Sequence, residues 1–108
     1  MLFRSKFTQP SSSAIDAALA SFSPTTPSSG AQALINTSAA TGYPVINYEY
    51  AIVKKTQPDA ATATALKAFL NWTLTTGAGS KYLSAVGFEP LASNVQTIAT
   101  SLVNSITG

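Results

Sequence analysis

The stretch from Gly42 to Val53, GYPVINYEYAIV, decides the fold that this chain is expected to adopt. Asn47 and Glu49 point to one side of it, and the other side carries an apolar and aromatic row: Ile46, Tyr48, Tyr50 and Ile52. This period of two predicts a half-buried β-strand. A strand needs a partner, and the 108 residues offer one weak candidate, residues 31–36. The pattern therefore predicts a piece of a larger α/β domain.

The same stretch begins a resemblance to a known family. Tyr43-Pro44-Val45-Ile46 and Tyr50-Ala51-Ile52-Val53 are followed by three further motifs: Ala65-Leu66-Lys67-Ala68-Phe69-Leu70-Asn71-Trp72, Thr76-Gly77 and Gly87-Phe88-Glu89-Pro90-Leu91. Together they resemble the C-terminal part of the PstS phosphate-binding proteins, the substrate-binding components of phosphate ABC transporters, and the actinobacterial members look most similar. The resemblance covers nearly everything after Ser5, although Ala92 stands where the family often has proline.

The resemblance implies a two-lobed α/β binding protein that holds its ligand in the cleft between the lobes and closes by a hinge motion. Residues 1–5 are then an unmatched leader, and residues 6–41 are part of the second lobe. Residues 42–108 supply the return strand and the C-terminal helices of the first lobe. The expected fold class is α/β and mostly helical, with about four helices and one or two strands.

Apolar spacing predicts a first amphipathic helix over Ser11–Phe22, with Ser13 and Asp16 as a capping pair near its start. A loop rich in proline and serine, residues 24–30, ends it. The pattern leaves open whether residues 31–36 form a short strand in a hairpin with the main strand.

A long helix is predicted after Pro58 and Asp59, because proline suits a first helical turn and aspartate complements the helix dipole there. Its buried stripe consists of Ala63, Leu66, Phe69, Leu70, Thr73 and Leu74. Gly77 ends this helix, and a shorter helix over Ser80–Val86 ends at Gly87.

The last helix is predicted to begin near Ser93, whose spacing to Gln96 fits a capping box. Its inward residues are Leu91, Val95, Ile98, Leu102 and Ile106. The expected order is therefore helix, candidate strand, strand, helix, short helix and helix.

Composition excludes several classes of protein. The chain has no cysteine and no histidine, so disulfides and Cys or His nucleophile-base pairs are ruled out. Its net charge of +2 comes from scattered cations, which is not the clustered basic surface that nucleic-acid binding needs. We expect no enzyme activity, no cofactor and no metal site.

Phosphate recognition needs hydroxyl groups, helix N-terminal amides and an arginine. The resemblance implies that these groups lie upstream, including a Ser-Gly-Thr loop that opens a helix. Ser28-Ser29-Gly30 and Thr75-Thr76-Gly77 mimic that loop only superficially, because the first belongs to a Pro-rich loop and the second ends a helix, where the dipole repels anions. Arg4, the sole arginine, lies in the unmatched leader. No phosphate-binding residue is assigned within this fragment.

Other polar and aromatic residues also favour structural roles. The carboxylates are spread along the chain and predict no acid-base pair: Asp16, Glu49, Asp59 and Glu89. The larger aromatic residues are expected to pack rather than to stack on a ligand: Tyr43, Tyr48, Tyr50 and Trp72.

The leading hypothesis is the C-terminal part of an extracytoplasmic phosphate-binding protein. Its expected partners are inorganic phosphate, the permease subunits of the ABC importer and the missing N-terminal part of its own chain. The expected location is the periplasm or the outer face of the cytoplasmic membrane. MLFRSKFTQPSSS at the N-terminus has no apolar export segment and no lipid-anchoring cysteine, so we expect the export signal to lie upstream of Met1.

Two alternatives remain open. One is a small helical interaction or structural module whose amphipathic helices dock on a partner. The other is a hydrolase, which would have to work without histidine or cysteine. The exposed edge of the predicted strand also leads us to expect aggregation of the isolated chain.

Overall fold

The computed structural model describes residues 7–108, which contain three α-helices. Helix α1 spans Ser12–Phe22, α2 spans Ala60–Leu74 and α3 spans Ser93–Asn104. Short 3-10 turns occupy Ser23–Thr25 and Ser84–Val86. The expectation of a mostly helical chain is therefore confirmed, whereas no sheet forms within these described residues.

The first two α-helices begin at side-chain caps. Ser11 caps α1, and its hydroxyl oxygen accepts from the amide of Ala14 at 3.3 Å, so the predicted pair of Ser13 and Asp16 is wrong. Asp59 caps α2, which places the preceding proline outside the helix rather than in its first turn. In both cases a short oxygen-bearing side chain satisfies an amide that the first turn leaves unpaired.

The start of α3 differs from those of α1 and α2. Its N-cap residue is Ala92, and no side chain caps the helix, so the predicted capping box of Ser93 and Gln96 is wrong. The side-chain amide of Gln96 instead donates a hydrogen bond to the carbonyl of Leu74 at the end of α2. A helix carbonyl that α2 leaves unpaired thus receives a donor from α3.

The predicted helix over residues 80–86 is wrong in its length. Only the single 3-10 turn at its end forms. Gly87 ends that turn with φ +75°, in the left-handed region that favours glycine, as the sequence predicts. A series of turns fills the preceding residues, which have few apolar side chains to pack on a core.

The predicted strand pairs at one point only. Ile35 and Val45 form an isolated antiparallel bridge, flanked by hydrogen bonds from Asn36 N to Pro44 O (2.8 Å) and from Ile46 N to Leu34 O (3.2 Å). The hairpin that the sequence left open is thus present as one bridge. Among residues 7–108, residues 47–53 have no backbone hydrogen-bond partner, so a regular β-strand over residues 42–53 is not confirmed.

A second isolated bridge lies at the other end of this segment. Thr56 and Thr107 pair in parallel, with hydrogen bonds from Gln57 N to Thr107 O (2.7 Å) and from Thr107 N to Lys55 O (2.9 Å). The segment between the two bridges, residues 47–54, is therefore held at both ends. We call it the spanning segment.

The buried side chains form two small clusters. The first cluster lies between α1, the bridge and the start of α3: Leu19, Leu34, Tyr48 and Val95. The second cluster lies between α2 and the end of α3: Ala63, Leu70 and Ile106. Helix α3 contacts both clusters, and its middle lies between them. Two predicted inward residues are exposed, since Phe69 is 60% accessible and Leu102 is 44% accessible.

Candidate functional site

A groove of about 550 Å³ lies between the spanning segment and the two longer helices. Its floor is apolar and consists of residues from α2 and α3, among them Leu70, Leu74, Val95, Ile98, Ala99 and Leu102. Residues 48–53 form one wall, and the loop at Ser29 and Gly30 also lines it. We call this feature the open groove, because it occupies the gap between the two buried clusters.

The wall of the open groove includes main-chain atoms. Six consecutive residues, 48–53, line it, whereas side chains of an extended chain point alternately to opposite faces. Among the described residues, no hydrogen bond involves the backbone N–H or C=O groups of residues 47–53. An extended backbone with unpaired groups is a template for the addition of another strand.

The first bridge determines which groups face which edge. The C=O of Pro44 and the N–H of Ile46 face residues 34–36. In an antiparallel bridge of this kind, the backbone groups of the bridged residue Val45 point away from residues 34–36.

Two tyrosines fix the N-terminal part of the spanning segment. The ring of Tyr48 is buried in the first cluster and meets the ring of Tyr50 edge to face, with centroids 6.3 Å apart. The hydroxyl of Tyr50 donates to the carbonyl of Gly30 at 3.1 Å. Both side chains thus serve packing and local hydrogen bonding, in keeping with the structural role expected from the sequence.

Gln32 connects the loop before the bridge to the end of α1. Its amide nitrogen donates to the hydroxyl of Thr25 at 2.8 Å, and its amide oxygen accepts from the hydroxyl of Thr26 at 2.6 Å. Thr26 in turn lies 3.3 Å from the hydroxyl of Tyr48. Nothing in the sequence pattern singles out Gln32, because its partners come from a separate segment.

The two loops that mimic a phosphate site lie at helix ends or in turns. Ser29 and Gly30 form a turn in which the Ser29 hydroxyl accepts from the amide of Ala31 at 3.4 Å. Thr75 follows the last residue of α2, and its hydroxyl donates to the carbonyl of Asn71 at 2.8 Å. Neither loop opens an α-helix, so neither offers the amide cluster that attracts anions.

The four carboxylates belong to different parts of the fold: α1, the spanning segment, the cap of α2 and the loop after residue 87. Asp59 has a defined partner, since it accepts hydrogen bonds from the amide of Thr62 at 2.7 Å and from its hydroxyl at 3.0 Å. These hydrogen bonds to the charged form lower the pKa of Asp59 below its usual value. Arg4 lies outside the described residues.

An aromatic patch lies on the surface at the end of α2. The rings of Trp72 and Tyr82 meet edge to face with centroids 5.6 Å apart, and the Nζ of Lys81 lies 5.4 Å from the Tyr82 ring centroid. Gly77 packs on the Trp72 indole, where a Cβ would come within 2.9 Å of Cζ3. A larger residue at position 77 would clash with Trp72, which explains the glycine just after the end of α2.

Residues 7–108 contain no group of three or more acidic side chains placed to hold a metal ion. Across the same residues, none of the helices has the length and hydropathy needed to cross a membrane. No protein-family model matches this chain. The open groove is thus the main candidate for a functional surface.

Proposed function

We propose that this chain is the C-terminal part of an extracytoplasmic phosphate-binding protein that captures inorganic phosphate and delivers it to an ABC importer. The motifs that resemble the PstS proteins, from Tyr43 to Leu91, support this proposal. Phosphate and the permease subunits are then partners of the intact protein, at the periplasm or the outer face of the cytoplasmic membrane. The chain contributes scaffold and no phosphate ligand.

The observation that carries the proposal is the open groove. An apolar floor and an unpaired backbone lie side by side, as expected of a domain from which neighbouring elements are missing. A two-lobed protein would supply those elements from the N-terminal part of its own chain. Within 7–108 the largest side chain that is almost fully buried is Leu34, so this piece has little core of its own.

The test compares the 108-residue chain with the product of the reading frame extended upstream of Met1. Sequencing the DNA before that codon shows whether such a frame exists. Calorimetric titration with inorganic phosphate is expected to detect specific binding by the extended product and none by the 108-residue chain. Sulfate serves as the control anion. Micromolar phosphate binding by the short chain, or an in-frame stop just before Met1, would contradict the proposal.

The exposed apolar surface also favours the second candidate, a small interaction module. The aromatic patch and the open groove offer docking surfaces in either case. The two candidates differ in how the isolated chain behaves. Cooperative unfolding as a monomer or a defined oligomer, measured by calorimetry and analytical ultracentrifugation, would favour the module, whereas aggregation or non-cooperative melting would favour a fragment.

A further inference from the structure

We propose that residues 24–31 form a lid over one end of the open groove and that the hydroxyl of Tyr50 is its latch. The lid opens while the rest of the chain stays folded, and its position sets access to the groove floor. This inference goes beyond the proposed function, because it concerns the groove itself and applies to a fragment and to an interaction module alike.

The two ends of the lid are fixed. Ser23, just before it, is buried, and its carbonyl accepts a hydrogen bond from the side-chain amide of Asn94 in α3 at 2.6 Å. Leu34, three residues after the lid, is almost fully buried in the first cluster. A movement of the lid is therefore confined to the residues between these two anchors.

The lid itself contributes little to the core. None of its eight residues is buried, and both of its prolines are exposed. Segments with few buried contacts and solvent-exposed hydrogen bonds open at a lower free energy than the whole fold. We therefore expect residues 24–31 to open locally, between ends that remain in place.

The Tyr50 hydroxyl ties the end of the lid to the wall of the groove. It donates to the carbonyl of Gly30 at 3.1 Å and accepts from the backbone amide of Gln32 at 3.4 Å. Tyr50 lies in the spanning segment, which is held by a bridge at each end. Its side chain is half exposed, so water competes for both hydrogen bonds and the latch is weak enough to open.

Other hydrogen bonds give the lid its shape. The side chain of Gln32 bonds to Thr25 and Thr26, so these bonds stay within the lid and the residue after it. Thr26 also lies 3.3 Å from the hydroxyl of Tyr48, which is a second and longer contact to the wall. Removal of the Tyr50 hydroxyl should therefore loosen the lid rather than detach it.

The lid covers part of α3. Ser29 and Gly30 line the open groove together with Leu102. A Cβ added to Gly30 would lie 3.6 Å from Cδ1 of Leu102, so the lid backbone runs close to this side chain. Opening of the lid uncovers Leu102 and enlarges the apolar surface that the groove presents.

Amide hydrogen exchange of the 108-residue chain, measured by NMR at several low urea concentrations, tests local opening. The amide of Gly30 donates to the carbonyl of Pro27 at 2.8 Å and thus reports on the lid. Its exchange should be nearly independent of urea, whereas exchange at the centre of α3 should accelerate with urea. Tyr50→Phe leaves this bond in place and should still speed exchange at Gly30 by about two- to tenfold. Tyr43→Phe, the control, should not.

Access to the groove floor is tested with a single thiol, because the chain has no cysteine. Leu102→Cys places the thiol beside the lid, and its rate of reaction with the disulfide reagent DTNB is measured. We expect the reaction to be several times faster when combined with Tyr50→Phe than with Tyr43→Phe. Val86→Cys is the control, since Val86 is exposed and does not line the groove, and its rates should be equal.

Three results would overturn the inference. Equal urea dependence at Gly30 and in α3 would show that the lid opens only when the chain unfolds. Unchanged exchange at Gly30 in Tyr50→Phe would show that this hydroxyl is not the latch. Equal thiol rates at position 102 would show that the lid does not control access. Should Tyr50→Phe fail to fold, the urea dependence of the unmodified chain still decides whether the lid opens.

Discussion

The two halves of the stretch from Gly42 to Val53 have the same alternating pattern and different structures. Pro44 and Ile46 form backbone hydrogen bonds with Asn36 and Leu34, and the side chain of Tyr48 is buried. Residues 49–53 have no backbone partner among the described residues, and Ile52 is 96% exposed. The comparison teaches that an amphipathic pattern produces burial only where another segment of the chain covers its apolar side.

The largest expected effect is at Leu34, in the segment that pairs with residues 44–46. Leu34→Ala removes a side chain that is 1% exposed and opens a cavity in the first cluster, so it should lower the free energy of unfolding by about 2–5 kcal/mol. Ile35→Ala is the matched control, since its side chain is 57% exposed and should change stability by less than about 0.5 kcal/mol. Urea denaturation followed by tyrosine fluorescence measures both. Equal losses would show that the first cluster does not form in solution.

The second prediction applies the same comparison to α3. Val95 is buried in the first cluster, whereas Leu102 lines the open groove. Val95→Ala should cost about 1.5–2 kcal/mol, because it removes two buried carbon groups. Leu102→Ala removes more atoms and should nevertheless cost less. A greater loss for the leucine variant would mean that the groove is filled or closed in the isolated chain.

The third prediction concerns the hydrogen bond of Tyr50, which holds the first residues of the unpaired half, residues 49–53. Tyr50→Phe removes the hydroxyl that donates to Gly30 and should cost about 0.5–1.5 kcal/mol. Tyr43→Phe is the control, because no hydrogen bond of its hydroxyl is present in the described structure. Thermal unfolding compares the two variants. Indistinguishable melting temperatures would show that the Tyr50 bond does not hold the segment in place.

The smallest expected effect is at the cap of α2, which follows residues 49–53 in the chain. Because the pKa of Asp59 is lowered in the folded state, its contribution to stability is present above its unfolded pKa of about 3.9 and is lost as pH falls through the folded pKa. Asp59→Asn keeps a capping oxygen without the titration, so its stability should vary less with pH in that acidic range. Denaturation measured at pH values on both sides of this range provides the test. Identical pH profiles for the two proteins would contradict it.

Much of the helical structure is predictable from the sequence. The positions of α1 and α2 and the end at Gly87 follow from apolar spacing and glycine, although α2 ends at Leu74, before the predicted Gly77, and the predicted cap of α1 is wrong. The start of α3 is also predictable, but its capping is not, because Gln96 uses its amide to contact α2. Phe69 fits the apolar stripe of α2 by spacing and lies on the surface. Spacing alone does not separate it from the buried Leu70, because burial depends on which elements pack against the helix.

The candidate site was predictable only in outline. The sequence predicts a strand over residues 42–53 that lacks a sufficient partner, and residues 47–53 have no backbone hydrogen bond to any described residue. The open groove itself was not predictable, since its floor combines residues from α2 and α3 that are about thirty positions apart. The division into two lobes and the absence of phosphate ligands remain predictions that rest on resemblance.

The sequence by itself determined the approximate positions of the three α-helices, because helix hydrogen bonds join residues four positions apart, but not the length of the predicted helix over residues 80–86. Tertiary structure alone decided which part of the alternating stretch is paired, because strand hydrogen bonds join distant segments. It also decided that α3 connects two separate clusters and leaves a groove between them. A local pattern specifies what a segment can form, and the neighbouring chain determines whether it does.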